Sequence, residues 1–367
     1  MGTKLDVAFK FGAGRYIQEP DALKLAGGEI GRFGHHALVI GGPTALDIAG
    51  EPLRRSLCDA CVTHEFVVYP GYNTREAANH YAAYCKKNSF DVVVGVGGGK
   101  IMDLAKSIAH MAELPVVNIP TQAATCAAYT PMSVMYTEEG AAYGTVGGNF
   151  YHDYEVSAVI IDETVMIHQP PRYAASGILD AMAKFIEVQH GHASMPFNDF
   201  NIELYTAYYL SKYTYDILKE TCLKVYDDIR EHRLTKEVHD FLFINFALTS
   251  DISRVSKAFG QTALAHEMYY CARMFFTNDS LSYLHGEIVG TSLILQLYYN
   301  GTPEKIPEFR NFMKRMEMPV TLKELGIPET GKNIQKIFEY LHSTAFVEDT
   351  EENREKLMNS IRAVCEI

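Results

Sequence analysis

Residues 90–110 combine a strand, a glycine-rich turn and a helix, and they constrain the fold more than any other stretch. The β-branched run Val92–Val94 is typical of a strand buried on both faces, as in a parallel sheet. Four of the five residues at 95–99 are glycine, and apolar residues then recur at helical spacing. Glycine allows a sharp turn and a close ligand, and the free N–H groups at the start of the helix point to the same place. The sequence therefore predicts a phosphate-binding turn.

This turn matches neither of the common phosphate-binding motifs. A G-x-G-x-x-G fingerprint counted from Gly95 would need glycine at position 100, where the chain has Lys100. A Walker A loop would need glycine at 94 and Ser or Thr at 101, where the chain has Val94 and Ile101. The prediction depends instead on three consecutive glycines, 97–99, after a buried strand.

The composition is that of a globular protein large enough for two domains. The chain has 367 residues, of which 47% are hydrophobic and 21% charged. Its net charge of −12 argues against nucleic acid or an anionic membrane as a partner, because such partners need a clustered basic face. No run of about 18 apolar residues predicts a membrane span, and residues 1–6 lack the apolar core of a signal peptide. Seven cysteines without regular spacing favour the reducing cytoplasm.

Strand and helix patterns alternate over residues 35–120. Strands are predicted at 37–40, 66–69, 92–94 and 115–120, with helices at 44–58, at 74–87 and after the glycine turn. This order is typical of a doubly wound parallel sheet, in which ligands bind at the carboxyl ends of the strands.

The pattern changes after a last strand at 158–162. Helical periodicity then dominates, near 171–190, 197–225, 235–255, 258–276, 285–299, 304–316 and 332–344. We therefore predict an α/β N-terminal domain with a doubly wound parallel sheet that binds a nucleotide, residues 1–163, and an all-α C-terminal domain, residues 164–367.

Three residues of the helical half are candidate metal ligands. Asp180, His266 and His285 each lie in an apolar helical stretch. Taken singly, a helix-cap carboxylate or a core histidine bonded to the backbone explains each of them. Together, one carboxylate and two imidazoles facing a nucleotide cleft would form a catalytic metal site, which uses three protein ligands and keeps one position open. Sequence spacing alone does not show that the three converge.

The chain resembles the glycerol dehydrogenase branch of the iron-containing alcohol dehydrogenase superfamily along nearly its whole length. The motifs that carry the resemblance are Gly97-Gly98-Gly99-Lys100, Pro120-Thr121 with Ala124-Thr125, Gly177-Ile178-Leu179-Asp180-Ala181, Ala265-His266 and Leu284-His285-Gly286. The resemblance implies the fold shared with dehydroquinate synthase, in which the active site lies in the cleft between an α/β nucleotide domain and a helical domain.

The resemblance also implies a role for each motif residue. Asp180, His266 and His285 become the catalytic ligands of a divalent metal. The implied cofactor is NAD or NADP, and the residues expected to bind it are Gly97, Gly98, Gly99, Lys100, Thr121, Thr130, Met132 and Tyr136. Four-ligand iron members carry a histidine four residues after the metal aspartate, whereas this chain has Lys184, so it resembles the three-ligand zinc type. The implied reaction is hydride transfer between NAD(P)(H) and a small hydroxy or oxo compound, with the metal as Lewis acid.

Two departures from the family pattern bear on substrate and cofactor. Glycerol dehydrogenases carry an aspartate that bonds the polyol, and the matching residue here is Cys126, in a run that resembles hydroxycarboxylate dehydrogenases. The predicted substrate is therefore a 2-oxo or 2-hydroxy acid, with Lys257 and Arg254 as candidate cationic partners. After the first nucleotide strand, NAD-preferring members often have an aspartate that binds the ribose 2′-OH, whereas this chain has Gly41-Gly42. Without that carboxylate, the 2′-phosphate of NADP is not repelled.

Three alternatives stay open at this stage. The first is a polyol (glycerol) dehydrogenase, and the second is a lyase like 3-dehydroquinate synthase, which uses NAD transiently. Asp180 and Met102-Asp103 argue against the lyase, which has glutamate and a Gly-Asp pair at these places. The third is a metal-free binding protein. The presence of all three candidate metal ligands argues against this alternative. We expect a small-molecule substrate and a homo-oligomer, with neither nucleic acid nor membrane as a partner.

Overall fold

The computed structural model of the chain describes residues 12, 14–144, 148–195, 201–257 and 260–365. The first half contains a parallel six-stranded sheet and an antiparallel hairpin. The strands are β1 (Tyr16–Glu19), β2 (His36–Gly41), β3 (Thr63–Val68), β4 (Val92–Gly97), β5 (Val116–Pro120), β6 (Met132–Val134), β7 (Asn149–Tyr151) and β8 (Ala158–Asp162). The helices between them are α1 (Leu23–Ile30), α2 (Pro43–Asp59), α3 (Arg75–Asn88) and α4 (Gly99–Ala112).

The sheet has the strand order β1-β8-β5-β4-β2-β3, and its central strands are apolar because both faces are covered. Every residue of β4 and of β5 is buried. The order reverses between β2 and β4, so the turns after these two strands open a crevice at the carboxyl edge of the sheet. Gly97 pairs with Pro120, which brings the loop after β5 next to the glycine turn.

The second half is helical. Its helices are α5 (Glu163–Met166), α6 (Pro171–Val188), α7 (Ile202–Arg230), α8 (Lys236–Phe243), a π-helical turn (Ile244–Leu248), α9 (Thr249–Val255), α10 (Leu264–Phe275), α11 (Thr277–Ser280), α12 (His285–Tyr299), a 3-10 turn (Pro303–Lys305), α13 (Ile306–Arg315), α14 (Gly331–His342) and α15 (Glu351–Ala363). None of the helices among the described residues is both long and apolar enough to cross a membrane.

Two glycines let the central helices approach closely. A Cβ on Gly177 of α6 would lie 1.9 Å from the carbonyl oxygen of Ala123, in the loop after β5. A Cβ on Gly286 of α12 would lie 1.9 Å from the carbonyl oxygen of Ser176. Helix α6 is therefore in backbone contact with the loop on one side and with α12 on the other.

The predicted fold class is confirmed, and most predicted elements lie within a few residues of the observed ones. The sequence did not predict β1, the β6–β7 hairpin or α15, and the helix expected over 235–255 is interrupted by the π-helical turn. The helices expected over 197–225 and 258–276 begin in residues that lie outside the described ranges. The expected lack of a signal core concerns residues 1–11, which also lie outside them. Residue 163 stays our proposed domain boundary.

Candidate active site

The glycine turn presents bare backbone to the crevice. Gly97 has φ +151°, and Gly98 begins α4 without a side-chain cap. A Cβ on Gly98 would lie 2.1 Å from the Gln122 amide nitrogen, and one on Gly99 would lie 3.1 Å from Thr125 Oγ1. Side chains at these positions would therefore collide with the loop after β5. The first N–H groups of α4 stay available to an anion.

A buried lysine holds the loop after β5 in shape. Lys106 Nζ lies 2.9 Å from Asp103 Oδ1 and donates hydrogen bonds to the carbonyl oxygens of Ala127 at 2.7 Å and Thr130 at 2.9 Å. It also contacts the carbonyl oxygen of Met132. In the sequence, the only sign of these contacts is indirect: Asp103 and Lys106 form a charged pair three residues apart on a mostly apolar helix.

The three candidate metal ligands converge from three different helices. Asp180 lies on α6, His266 on α10 and His285 on α12. Asp180 Oδ1 is 3.4 Å from His266 Nε2 and 3.5 Å from His285 Nε2, and one ligand atom from each residue lies within 4.8 Å of the others. For zinc bonds of about 2.0–2.1 Å, tetrahedral geometry separates the ligand atoms by roughly 3.3–3.4 Å.

The carboxylate oxygen at the centre of this group lacks a hydrogen-bond partner. Asp180 Oδ1 is buried and makes no hydrogen bond within the part of the chain that the structure describes. A buried carboxylate oxygen without a partner is costly, and a cation would satisfy it. The donor types, their spacing and this unsatisfied oxygen all fit a divalent metal.

A second carboxylate on α6 orients one of the histidines. Glu187 Oε1 accepts hydrogen bonds from the backbone N–H of Ala263 at 2.7 Å and of His266 at 3.0 Å, and Oε2 contacts His266 Nδ1. A proton on Nδ1 leaves the lone pair of Nε2 facing Asp180, as second-shell carboxylates do at metal sites. The sequence reasoning missed Glu187, although its seven-residue spacing from Asp180 puts both on one helix face.

A cavity of about 400 Å³ connects the glycine turn to this trio. Ten of the residues predicted to act in binding or catalysis line it: Gly98, Gly99, Lys100, Cys126, Thr130, Met132, Tyr136, Asp180, His266 and His285. The glycine turn, the loop after β5 and the candidate metal ligands therefore line a single cleft.

Comparison with known proteins agrees with this geometry. Residues 13–160 match the family of iron-containing alcohol dehydrogenases. The glycerol dehydrogenase of Thermotoga maritima is 27% identical over 317 residues, which cover 86% of this chain and 84% of that protein. The chain is therefore similar to iron-containing alcohol dehydrogenases over residues 13–160 and to a glycerol dehydrogenase over most of its length. Its relatives support the glycerol dehydrogenase branch.

Two further matches are to a hydroxycarboxylate dehydrogenase and to a solved structure with a similar fold. The hydroxycarboxylate dehydrogenase A of Escherichia coli is 27% identical over 236 residues, 64% of this chain and 63% of that protein. The crystal structure of a probable glycerol dehydrogenase from Sinorhizobium meliloti 1021 has a TM-score of 0.81 at 21% identity, covering 97% of this chain and 98% of the other. These similarities and the geometry of the site support metal-dependent, NAD-linked oxidoreduction of small hydroxy compounds by this dehydrogenase.

The ionisation of Asp180 and His285 suits metal binding. At His266 burial lowers the pKa, but the Glu187 carboxylate outweighs burial and raises the pKa above its usual value, which favours the protonated ring in the metal-free protein. Burial alone would raise the pKa of Asp180, but Lys184 and the two histidines lower that pKa well below its usual range. Burial lowers the pKa of His285, which keeps its imidazole neutral. A carboxylate and a neutral imidazole are the forms that coordinate a metal.

Two predicted residues, Gly97 and Thr121, lie beside the dehydrogenase cleft rather than in its lining. Gly97 ends β4 behind the turn, and the backbone N–H of Thr121 donates a hydrogen bond of 3.0 Å to its carbonyl oxygen. Thr121 therefore braces the glycine turn. Tyr136 lies inside the cavity, where its hydroxyl is 2.7 Å from that of Tyr269, whose ring contacts His285 at 4.3 Å between centroids.

The structure does not bring Arg254 and Lys257 to this cavity among the residues that it describes. Arg254 pairs with Glu155 at 3.0 Å and with Asp251 at 2.9 Å, and its guanidinium lies over the ring of Tyr129. These contacts occupy its donors in a structural cluster. Lys257 lies just after α9 in the left-handed backbone region, with φ +55°.

Proposed function

We propose that this dehydrogenase reduces short 2-oxo acids to 2-hydroxy acids with NAD(P)H, using zinc held by Asp180, His266 and His285. The observation that supports the proposal most directly is the convergence of these donors in the cavity that the glycine turn also lines. When bound, the metal supplies Lewis-acid polarisation of the substrate oxygen and the nicotinamide supplies the hydride.

The residues of the chain position these groups. The glycine turn and Lys100 hold the nucleotide phosphates, while Thr130, Met132 and Tyr136 face the nicotinamide half, with Thr121 bracing the turn. Lys106 fixes the loop that carries Cys126, and Glu187 fixes the ring of His266. Zinc is favoured over iron because the chain offers three ligands, as catalytic zinc sites do, and lacks the further histidine of the four-ligand iron members. Lys184 stands where a fourth imidazole would be.

The substrate class follows from Cys126 and the charge of the cavity. Burial raises the pKa of the Cys126 thiol to about 11, so this wall of the cavity is neutral at physiological pH. An aspartate at this place would repel a nearby carboxylate by a few kcal/mol at an effective dielectric constant near 20, which is roughly a hundredfold in affinity. Lys100, Lys184 and Arg273 add three cations to the lining. Of the three carboxylates in the lining, Asp103 pairs with Lys106, Glu267 accepts a hydrogen bond from Tyr340, and Asp180 is a candidate metal ligand. A neutral thiol at position 126 therefore suits an anionic substrate better than an aspartate would.

The nucleotide preference follows from the turn after β2. Gly42 begins α2 in extended conformation, and a Cβ there would meet only Ile101, at 3.9 Å. No carboxylate of this turn can repel a 2′-phosphate, since residues 41–43 are Gly-Gly-Pro. We therefore propose that NADPH serves at least as well as NADH.

A substrate panel tests the proposal. We would measure pyruvate reduction and glycerol oxidation with each nucleotide, before and after zinc is removed by a chelator and restored. Cys126→Asp should depress pyruvate reduction and affect neutral carbonyl compounds less. Efficient glycerol oxidation without activity on any 2-oxo acid would favour the polyol dehydrogenase instead. A product formed without net NAD(P)H turnover would favour the lyase.

We also propose that the protein works as a homo-oligomer in the cytoplasm. All seven cysteines have free thiols, which agrees with a reducing compartment. Size-exclusion chromatography with light scattering measures the oligomeric state, and a monomer would contradict the first part of this proposal.

A further inference from the structure

Lys184 is a buried cation inside the active-site cavity. It follows Asp180 by one helical turn on the same face of α6, and its side chain is 5% exposed. Lys184 Nζ lies 3.6 Å from Asp180 Oδ1 and 3.1 Å from His266 Nε2. Lys184 and Cys126 line the same cavity. The ammonium group is therefore next to the metal donors and on the substrate side of them.

The charges around Lys184 do not balance once a metal is bound. Among the described residues, Asp180 is the only carboxylate within 4.0 Å of its ammonium. Glu187 is committed to His266 and to the start of α10. When Asp180 serves a divalent cation, Lys184 becomes a buried charge without a counter-charge, which is costly unless a ligand supplies one.

Position 126 of the cavity lining supplies no counter-charge either. The residue there is Cys126, a neutral thiol in the place where polyol dehydrogenases of the resembling branch carry an aspartate. An aspartate at 126 would give Lys184 a partner and close the site to anions. With cysteine, the missing negative charge has to come from the substrate.

We propose that Lys184 binds the carboxylate of the substrate and so determines the preference for 2-oxo acids. This inference rests on the proposed function and names the residue behind its substrate class. In a 2-oxo acid the carboxylate is bonded directly to the carbonyl carbon, so a carbonyl held beside the metal donors brings the carboxylate to Lys184. The flexible stem and three N–H donors of lysine adapt to either carboxylate oxygen.

The test compares pyruvate with methyl pyruvate, which differ mainly in charge, on the zinc-loaded enzyme. Lys184→Met should lower kcat/KM for pyruvate about 10- to 100-fold relative to methyl pyruvate, the usual effect of losing a charge-assisted hydrogen bond. Lys184→Arg should retain most of the preference. Titration calorimetry with oxamate, an unreactive isostere of pyruvate, should show the same loss of affinity without turnover.

A second substitution makes the test sharper. Because Cys126→Asp provides an internal partner for Lys184, the pyruvate penalty of Lys184→Met should shrink in the Cys126→Asp background. Lys219→Met is the matched control, since Lys219 is an exposed lysine of α7 that pairs with Glu308 at 3.0 Å and is not among the described residues that line the active-site cavity. This control should leave the ratio of the two substrates unchanged.

Zinc affinity, measured by competition with a chromophoric chelator, separates the two possible roles of Lys184. If Lys184 binds substrate, Lys184→Met binds zinc at least as tightly as the natural protein. A tenfold weaker zinc affinity would make Lys184 a metal ligand and overturn the inference, as would an unchanged substrate ratio. If the natural protein reduces methyl pyruvate but not pyruvate, the proposed substrate class itself fails.

Discussion

Replacing Glu187 by glutamine should weaken zinc binding about 10- to 100-fold, the usual effect of losing an outer-shell partner of a metal-bound histidine. The glutamine oxygen can still accept from the backbone N–H groups of Ala263 and His266, now 2.7 and 3.0 Å from Glu187 Oε1. Its NH₂ group, however, cannot accept a hydrogen bond from the N–H of His266 Nδ1. The imidazole would then carry its proton on Nε2, the nitrogen that faces Asp180.

The expected loss corresponds to about 1.4–2.8 kcal/mol of zinc binding free energy. Glu187→Ala is the comparison, because it also removes the acceptor for two backbone N–H groups at the start of α10. Each buried donor left without a partner costs about 1–3 kcal/mol, so this variant should also lose folding stability without metal. Glutamine should preserve most of that stability.

The assay has two parts. Zinc affinity comes from competition with a chromophoric chelator, and the free energy of unfolding of the metal-free protein comes from urea titration. A zinc affinity of Glu187→Gln within twofold of the natural protein would refute the orienting role. Equal destabilisation of both metal-free variants would show that Glu187 serves the fold rather than the metal.

Three further predictions address the nucleotide, the loop and pH. Gly42→Asp should shift kcat/KM towards NADH about tenfold or more, since the backbone and free space at 42 accept a carboxylate that repels a 2′-phosphate; an unchanged NADPH/NADH ratio would contradict this. Lys106→Met should destabilise the protein by about 3–5 kcal/mol in urea unfolding, because Asp103 loses its buried partner; a loss below about 1 kcal/mol would contradict that role. Asp228 is a solvent-inaccessible carboxylate that, despite burial, has a lowered pKa because of hydrogen bonds from Lys224, Thr235 and Arg233. The stabilisation that the Asp228 carboxylate contributes is therefore present above the unfolded-state pKa near 3.9, and it is lost as the pH falls through the lower folded-state pKa. The stability difference between Asp228→Asn and the natural protein should be full at pH 7 and shrink below about pH 4; a constant difference would contradict this.

Local patterns predicted the core of the fold well. The strands β2, β4, β5 and β8 are short apolar runs bounded by turn residues, and their residues are almost all buried. Each pattern is local because a strand covered on both faces needs apolar side chains at every position. The glycine turn was equally visible, since three consecutive glycines follow a buried strand, and a Cβ on Gly98 or Gly99 would crowd the side chain of Gln122 or Thr125.

Elements stabilised by distant partners escaped prediction. Strand β1 has the sequence Tyr-Ile-Gln-Glu and forms because it pairs with β8, more than 140 positions later. The β6–β7 hairpin is held where the backbone N–H of Val134 donates to Asp103 at 3.0 Å. Helix α15 is strongly polar, and Thr350 caps its start. None of these has a periodic apolar pattern of its own.

The sequence by itself determined the sheet, the glycine turn and the residue types available for chemistry, because burial and backbone geometry select amino acids locally. Tertiary structure decided which of those residues meet. Asp180, His266 and His285 lie on three helices and come within bonding range of one ion only because Gly177 and Gly286 let the helices touch. The same packing leaves Arg254 in ion pairs outside the cavity and turns Lys184 into it. The distance in space between these ligands depends on how the helices pack, and the number of residues between distant segments of the sequence does not specify that packing.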